Sequence, residues 1–415
     1  MKKVILGLIV VTLFGCTKTA PIVIIPPTTI VEVLPKIVYY GKTSYELKIP
    51  ISFVNIDSIR SQLGVRKIGR WNGNNNLGYA YVDMNNDGRE DIFYPIASEE
   101  RNKFYRPQVF INTKNGYVLD NSMLPDDYLG AVDTRKSIIG DFNNDSLPDI
   151  FVSNTGFDAD PISLDASPVL LLSNKKTNKY SLAKLPTELI TKGGFHGVAS
   201  GDLNNDGYID IVLVGQGEPK VVYNNGNNTF SYSELNVDSR AAYITCEIID
   251  VDMDGKNDII LAGSENHQFS KIFWGKYNFT KSTIIEINKV NNFQLVMDIG
   301  VYDLDNDGIN EIVFSRTVDG FNNLVTYPWY AGYKLSFYKT NDLYNSFVDV
   351  SEQFMPNNTV VNPVIGGWIP HLNIYKDKGI VSINVDIWNC YYYNDYRKNN
   401  YTKNWKQNTI TKIFE

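Results

Sequence analysis

Asp83, Asn85, Asp87 and Asp91 occupy positions one, three, five and nine of the segment DMNNDGRED. Oxygen-bearing side chains at alternate positions of a tight loop aim at one centre. That is the donor set of a hard cation such as calcium, which takes roughly six to eight oxygens at about 2.3–2.6 Å. The carbonyl of Arg89, at position seven, adds a further oxygen. The chain writes this loop five times. The second copy offers Asp141, Asn143, Asp145, Asp149 and the Leu147 carbonyl, and the third Asp202, Asn204, Asp206, Asp210 and the Tyr208 carbonyl. The fourth offers Asp250, Asp252, Asp254, Asp258 and the Lys256 carbonyl, and the fifth Asp303, Asp305, Asp307, Glu311 and the Ile309 carbonyl. Position six must turn sharply, and glycine does so at least steric cost. Gly88, Gly207, Gly255 and Gly308 stand there, whereas the second copy has Ser146 followed by Pro148. A polar turn could use the same residue types singly. Five copies with one oxygen pattern point instead to about five structural Ca2+ sites, in which bound dications offset the repulsion among 17 carboxylates.

An EF-hand opens the same way but needs a bidentate Glu at position twelve and flanking helices. Position twelve here is Tyr94, Val152, Leu213, Leu261 or Phe314. The flanks DIFYP, DIFVS, DIVLV, DIILA and EIVFS are short and rich in β-branched or aromatic residues, which marks them as strands. Successive loops begin 58, 61, 48 and 53 residues apart, a period expected of a propeller or similar array. Within each period one strand leads into the loop and a second leaves it. A third ends near Asn or Gly (QVFIN, PVLLLSN, PKVVYNN, SKIFWG), and a fourth carries hydroxyl and aromatic residues. Four short antiparallel strands make one blade, and radial packing of blades leaves few open edges.

The stretch GVASGDLNNDGYIDIVLVG…PKVVYNNGNNTFSYS resembles an FG-GAP/VCBS repeat, the unit of integrin-alpha-type calcium-binding β-propellers. The resemblance covers about residues 77–340 in five units. It implies that each acidic loop joins the first two strands of a blade and holds one calcium. By residue matching it places the ligands of the third copy on Asp202, Asn204, Asp206, Asp210 and the Tyr208 carbonyl, with equivalents in the other copies.

A sixth unit reads as decayed. NIYKDKGIV (Asn373–Val381) has the loop length and a following strand, SINVDIW, but Tyr375 and Val381 stand where oxygens are needed. A blade without metal is expected there. Residues 45–76 could add a strand or partial blade that closes the ring. The expected fold is all-β, a β-propeller of six four-stranded antiparallel blades, or seven if that N-terminal segment contributes.

Three segments follow from the ends. Residues 1–15 read as a signal peptide, with Lys2 and Lys3 before an apolar run too short to span a bilayer comfortably. They end in Leu13-Phe14-Gly15-Cys16, which resembles a bacterial lipobox and implies lipidation of Cys16; an ordinary secretory peptide is the alternative. Residues 16–44 contain Pro21, Pro26, Pro27 and Pro35, the composition of an extended tether. Residues 45–415 are expected to form the propeller. The protein is thus expected in a bacterial cell envelope, at the outer membrane or cell surface, held by its N-terminal lipid. Cys246, in YITCEII, reads as a small core residue.

A formal charge of −7 and the lack of a basic stripe argue against a nucleic-acid partner. The chain has three histidines and no HExxH, GxSxG, P-loop or CxxC motif. His196 reads as a polar group near the channel of the ring. Aromatic residues are plentiful, and in YPWYAGY the residues Trp329 and Tyr330 sit in a loop where they could meet a ligand or pack between blades. Two function classes follow. The first is a non-enzymatic adhesion module for a glycan or protein ligand. The second is a lyase-like carbohydrate-active enzyme, which would need His196 or His371 beside a Tyr and an Arg.

Overall fold

The structure, a computed structural model, describes residues 80–95, 106–130, 134–155, 167–191, 194–215, 217–237, 243–265, 270–287, 293–318, 333–341, 344, 346–355, 367–368, 372–377, 380–395 and 400–414. Residues 1–79, on which the expected signal peptide, lipidated Cys16, tether and additional N-terminal strand fall, lie outside these, as do Trp329, Tyr330, His267 and His371.

The described residues form a β-propeller of six four-stranded antiparallel sheets. Blade one holds Ala80–Val82, Asp91–Tyr94, Gln108–Thr113 and Gly116–Leu119. Blade two holds Thr134–Gly140, Asp149–Asn154, Val169–Asn174 and Lys179–Leu182. Blade three holds Phe195–Gly201, Asp210–Gly215, Lys220–Asn224 and Phe230–Glu234. Blade four holds Tyr243–Ile249, Asp258–Gly263, Ser270–Phe273 and Ser282–Ile285. Blade five holds Leu295–Tyr302, Glu311–Thr317, Tyr333–Thr340 and Phe347–Asp349. In each of these five the strands pair in chain order, so every acidic loop joins the first strand to the second. The first strands of blades one to five pack side by side in order, and that of blade five packs against Leu372–Asp377 of the sixth sheet.

The second strands are buried on both faces, and their alternation explains why. Neighbouring side chains on a strand point to opposite faces of the sheet. In blade two, Ile150 and Val152 pack with Phe93 and Val109 of blade one, while Phe151 packs with Ile211 and Leu213 of blade three. Blade four repeats the pattern: Ile259 and Leu261 meet Val212 and Val214 of blade three, and Ile260 meets Val296 and Ile312 of blade five. The core is therefore a series of apolar layers between blades. Each fully buried aliphatic side chain stabilises the layer by about 1.5–3 kcal/mol. Fourth strands are exposed and alternate, as outer edges should. Close approach of inner strands needs small residues: a Cβ on Gly197 would stand 2.5 Å from the Ile244 carbonyl oxygen of the next blade.

The sixth sheet corrects one expectation. NIYKDKGIV is not a decayed nine-residue loop. Leu372–Asp377 is a strand that pairs with Ile380–Asp395 in a tight hairpin, Asp377 lying opposite Ile380. Leu372 and Ile374 alternate into the layer shared with Val313 and Phe337 of blade five, and that apolar period holds the segment extended. The other edge of Ile380–Asp395 pairs along its length with Asn400–Phe414, and Gly367–Trp368 pairs near its far end. Cys246 is a buried free thiol in the inner strand of blade four, as its apolar surroundings in sequence suggested.

Candidate metal centres

Position nine is the first residue of each second strand, and it is fully buried in all five loops: Asp91, Asp149, Asp210, Asp258 and Glu311. In the first four loops its carboxylate clamps the loop. One oxygen accepts the position-two amide: Met84 N–H to Asp91 Oδ2 (2.9 Å), Phe142 to Asp149 (2.7 Å), Leu203 to Asp210 (2.9 Å) and Val251 to Asp258 (2.9 Å). The other accepts an amide at the end of the third strand: Asn112 (2.8 Å), Ser173 (2.6 Å), Asn224 (2.9 Å) and Gly275 (2.8 Å). Loop, second strand and third strand thus meet at one carboxylate.

Positions one and five turn their carboxylates onto the loop's own backbone amides in all five copies, and position three does so where it is Asn. Asp83 accepts the amides of Asp87 (3.0 Å) and Gly88 (2.7 Å), and Asp141, Asp202, Asp250 and Asp303 each accept the equivalent pair. Asn85, Asn143 and Asn204 accept the position-five amide, and the position-five carboxylate in every loop accepts the amide of position seven. That wrapping needs two left-handed residues. Position six has φ of +84 to +88° where it is Gly, and Ser146 adopts φ 69°. Position four is also left-handed: Asn86, Asn144, Asn205 and Asn306 at φ 56–58°, but Met253 at φ 54°. Asn adopts this conformation readily, whereas Met holds it at a cost of roughly 1–2 kcal/mol. The repeated Asn at position four is the sequence signal of this second left-handed residue.

Burial is the main force on the clamp carboxylates. It pushes Asp91, Asp149, Asp210 and Asp258 up to about 7, against the backbone hydrogen bonds that hold them charged. Asp141 and Asp250 are raised for the same reason. A divalent cation among these oxygens would favour the ionised form and relieve the conflict. The donor set is all-oxygen, which suits calcium. In loop four, Asp250, Asp252 and Asp254 lie close enough together to share an ion, and Asp252 Oδ1 is buried without a hydrogen-bond partner. Basic side chains touch loops one and four at one carboxylate each: Arg89 on Asp87 and Lys276 on Asp252. The first four loops therefore fit the metal.

Loop five keeps the position-two contact, Leu304 N–H to Glu311 Oε2 (2.8 Å), and its Asp303, Asp305 and Glu311 also lie close enough together to share an ion, but a lysine already stands among these carboxylates. Lys339, in the third strand, places its Nζ 2.8 Å from Asp305, 2.7 Å from Asp307 and 2.7 Å from Glu311. Gln353 also donates to Asp305 (3.3 Å). Burial works against the charge on Lys339, but its three carboxylate partners outweigh that and hold it protonated. Sequence reading missed Lys339, because it considered each loop without the third strand that folds back over it.

Neighbouring loops are stitched together. Asn257 of loop four donates to the Asp202 carbonyl of loop three (2.8 Å), and Asn224 of blade three donates to the Phe142 carbonyl of loop two (2.7 Å). His196 lies in the inner strand of blade three, at the channel wall as expected. The inner strands crowd it although part of its surface is open, and burial together with the charge of Arg135 lowers its pKa to about 3.

The chain matches the family described as FG-GAP-like repeat over residues 202–261 and 250–314. No curated protein sequence matches it significantly. A similar solved structure, a lectin of Agrocybe aegerita described for specific recognition of non-reducing terminal N-acetylglucosamine, has a TM-score of 0.46 and 16% identity. The alignment covers 82% of this chain and 86% of that one. Each family match runs from the start of one acidic loop into the second strand of the following blade, so two overlapping FG-GAP-like matches span 202–314.

Proposed function

We propose that the protein is a calcium-stabilised β-propeller, tethered to a bacterial envelope through lipidated Cys16, that binds a glycan or protein ligand without transforming it. The observation that carries this reading is the clamp at position nine. The carboxylates of loops one to four are engaged in closing the loop and tying it to the third strand. A cation held there neutralises and braces the blade. Catalytic metal chemistry instead needs an open coordination position aimed at substrate.

His196 supports the same reading. It is the only histidine among the described residues. A general base works best with a pKa near the operating pH, and one held at about 3 is a poor acceptor at neutrality. We assign ligand contact to Trp329 and Tyr330, which in sequence fall between the second and third strands of blade five. Aromatic faces there would stack on a sugar ring or anchor a protein interface.

A glycan array combined with mass spectrometry of the bound oligosaccharides tests the function. Retention of intact glycans supports it, and recovery of shortened, unsaturated products would establish a lyase instead. Metabolic labelling with a fatty-acid analogue tests the anchor: label should be incorporated and should vanish in Cys16→Ser.

A further inference from the structure

Blade five departs from the other four in two coordinated places. Position nine is Glu311, where the others have Asp. The residue opposite it on the third strand is Lys339. Continuing the ladders of blades one to four by one residue puts Ile111, Leu172, Tyr223 and Trp274 at the same place. Four blades thus set a large apolar or aromatic side chain beside the clamp, and the fifth sets an ammonium. The longer Glu side chain changes partner accordingly. In the other blades the second carboxylate oxygen takes a third-strand amide, whereas Glu311 Oε1 faces Lys339 Nζ at 2.7 Å.

The ammonium contacts three of the four ligand positions: Asp305 at position three, Asp307 at five and Glu311 at nine. Asp303, at position one, closes the turn through the amides of Asp307 and Gly308, as in every other loop. A dication entering this loop would have to expel Lys339 or sit against a like charge at contact distance, and either choice is unfavourable.

We propose that Lys339 is a built-in cation for loop five, doing with a side chain what a divalent ion does in loops one to four, so that blade five closes without metal. This rests on the calcium reading of the other loops. It also gives blade five a distinct part in the ring. Blade five carries Asp298, which ties to Lys136 of blade two and to the Leu372 amide of blade six. A metal-independent blade at that junction would hold the last blades together while calcium rises or falls.

Hydrogen exchange on the full chain, with calcium and after EDTA, tests this directly. Loops Asp83–Asp91, Asp141–Asp149, Asp202–Asp210 and Asp250–Asp258 should lose protection on chelation, while Asp303–Glu311 keeps it. Equal loss in loop five would overturn the role of Lys339 and leave the calcium reading standing. No response in any loop would sink both. Calcium stoichiometry by equilibrium dialysis gives a second readout. The wild type should bind four ions, and five would contradict the proposal. Lys339→Met, if folded by circular dichroism, should gain one site and make loop five sensitive to EDTA; an unchanged count of four would contradict it.

Discussion

Lys136 of blade two and Asp298 of blade five join across the ring, Nζ to Oδ1, at 3.1 Å. In a ring of six blades these two stand opposite each other. Each directly follows a register shift in its inner strand, between Thr134 and Lys136 and between Val296 and Asp298. Such bulges bend the strand and re-aim the next side chain. Asp298 also accepts the Leu372 amide of blade six (2.8 Å), so one carboxylate connects three blades.

Removing one partner of a buried pair leaves an uncompensated charge. Lys136→Met should therefore destabilise the protein by about 3 kcal/mol, the low end for a buried pair because Lys136 keeps some solvent contact. Adding Asp298→Asn should recover a large part of the loss. Urea denaturation of both variants measures this, and a single mutant as stable as wild type would show that the tie contributes nothing.

Met253 holds a left-handed conformation that Asn supplies in the other four loops, and it is 52% exposed, so its side chain gains little from packing. Met253→Asn should stabilise the fold by about 1 kcal/mol through relief of backbone strain. A thermal melt no higher than wild type would refute that account of position four.

In the calcium-free protein the four clamp aspartates have folded pKa values near 7, above the unfolded carboxyl range of about 3.9. A raised folded pKa contributes stability that is complete below about 4 and lost as pH rises through about 7. The EDTA-treated protein should thus melt higher at pH 5 than at pH 8. With saturating calcium the trend should reverse, because the ligands must ionise to bind. Two parallel melting profiles would contradict the clamp electrostatics.

His196 acts in the opposite direction. Its folded pKa of about 3 lies below the unfolded value of about 6.5, so it costs stability as pH falls below about 6.5. Wild type and His196→Gln should diverge on acidification, the variant becoming the more stable. An imidazole NMR titration near 6.5 would disprove the burial argument.

The repeat was legible because its two signals are local. Alternate oxygens over nine residues and a β-type run after them specify loop and strand with no knowledge of the rest. What escaped sequence reading depends on contacts between distant segments. Lys339 reaches loop five from 28 positions beyond Glu311, and Lys136 meets Asp298 across 162 positions. NIYKDKGIV misled for a related reason: its length matched the loop, but the period-two apolar pair Leu372 and Ile374 binds it into a strand against blade five. Sequence marks the carboxylate at position nine only as a ligand, because nothing local reveals that third-strand amides converge on it.

In the proposed reading, divalent ions brace these loops. At free calcium of one to ten times the dissociation constant, four sites would contribute roughly 2–6 kcal/mol. For a domain of this size that corresponds to about 3–8 °C in melting temperature. Calorimetry of protein first shown to contain calcium, before and after EDTA, should find a fall of that order, restored by adding calcium back. A melting temperature unmoved by removal of the metal would contradict the account.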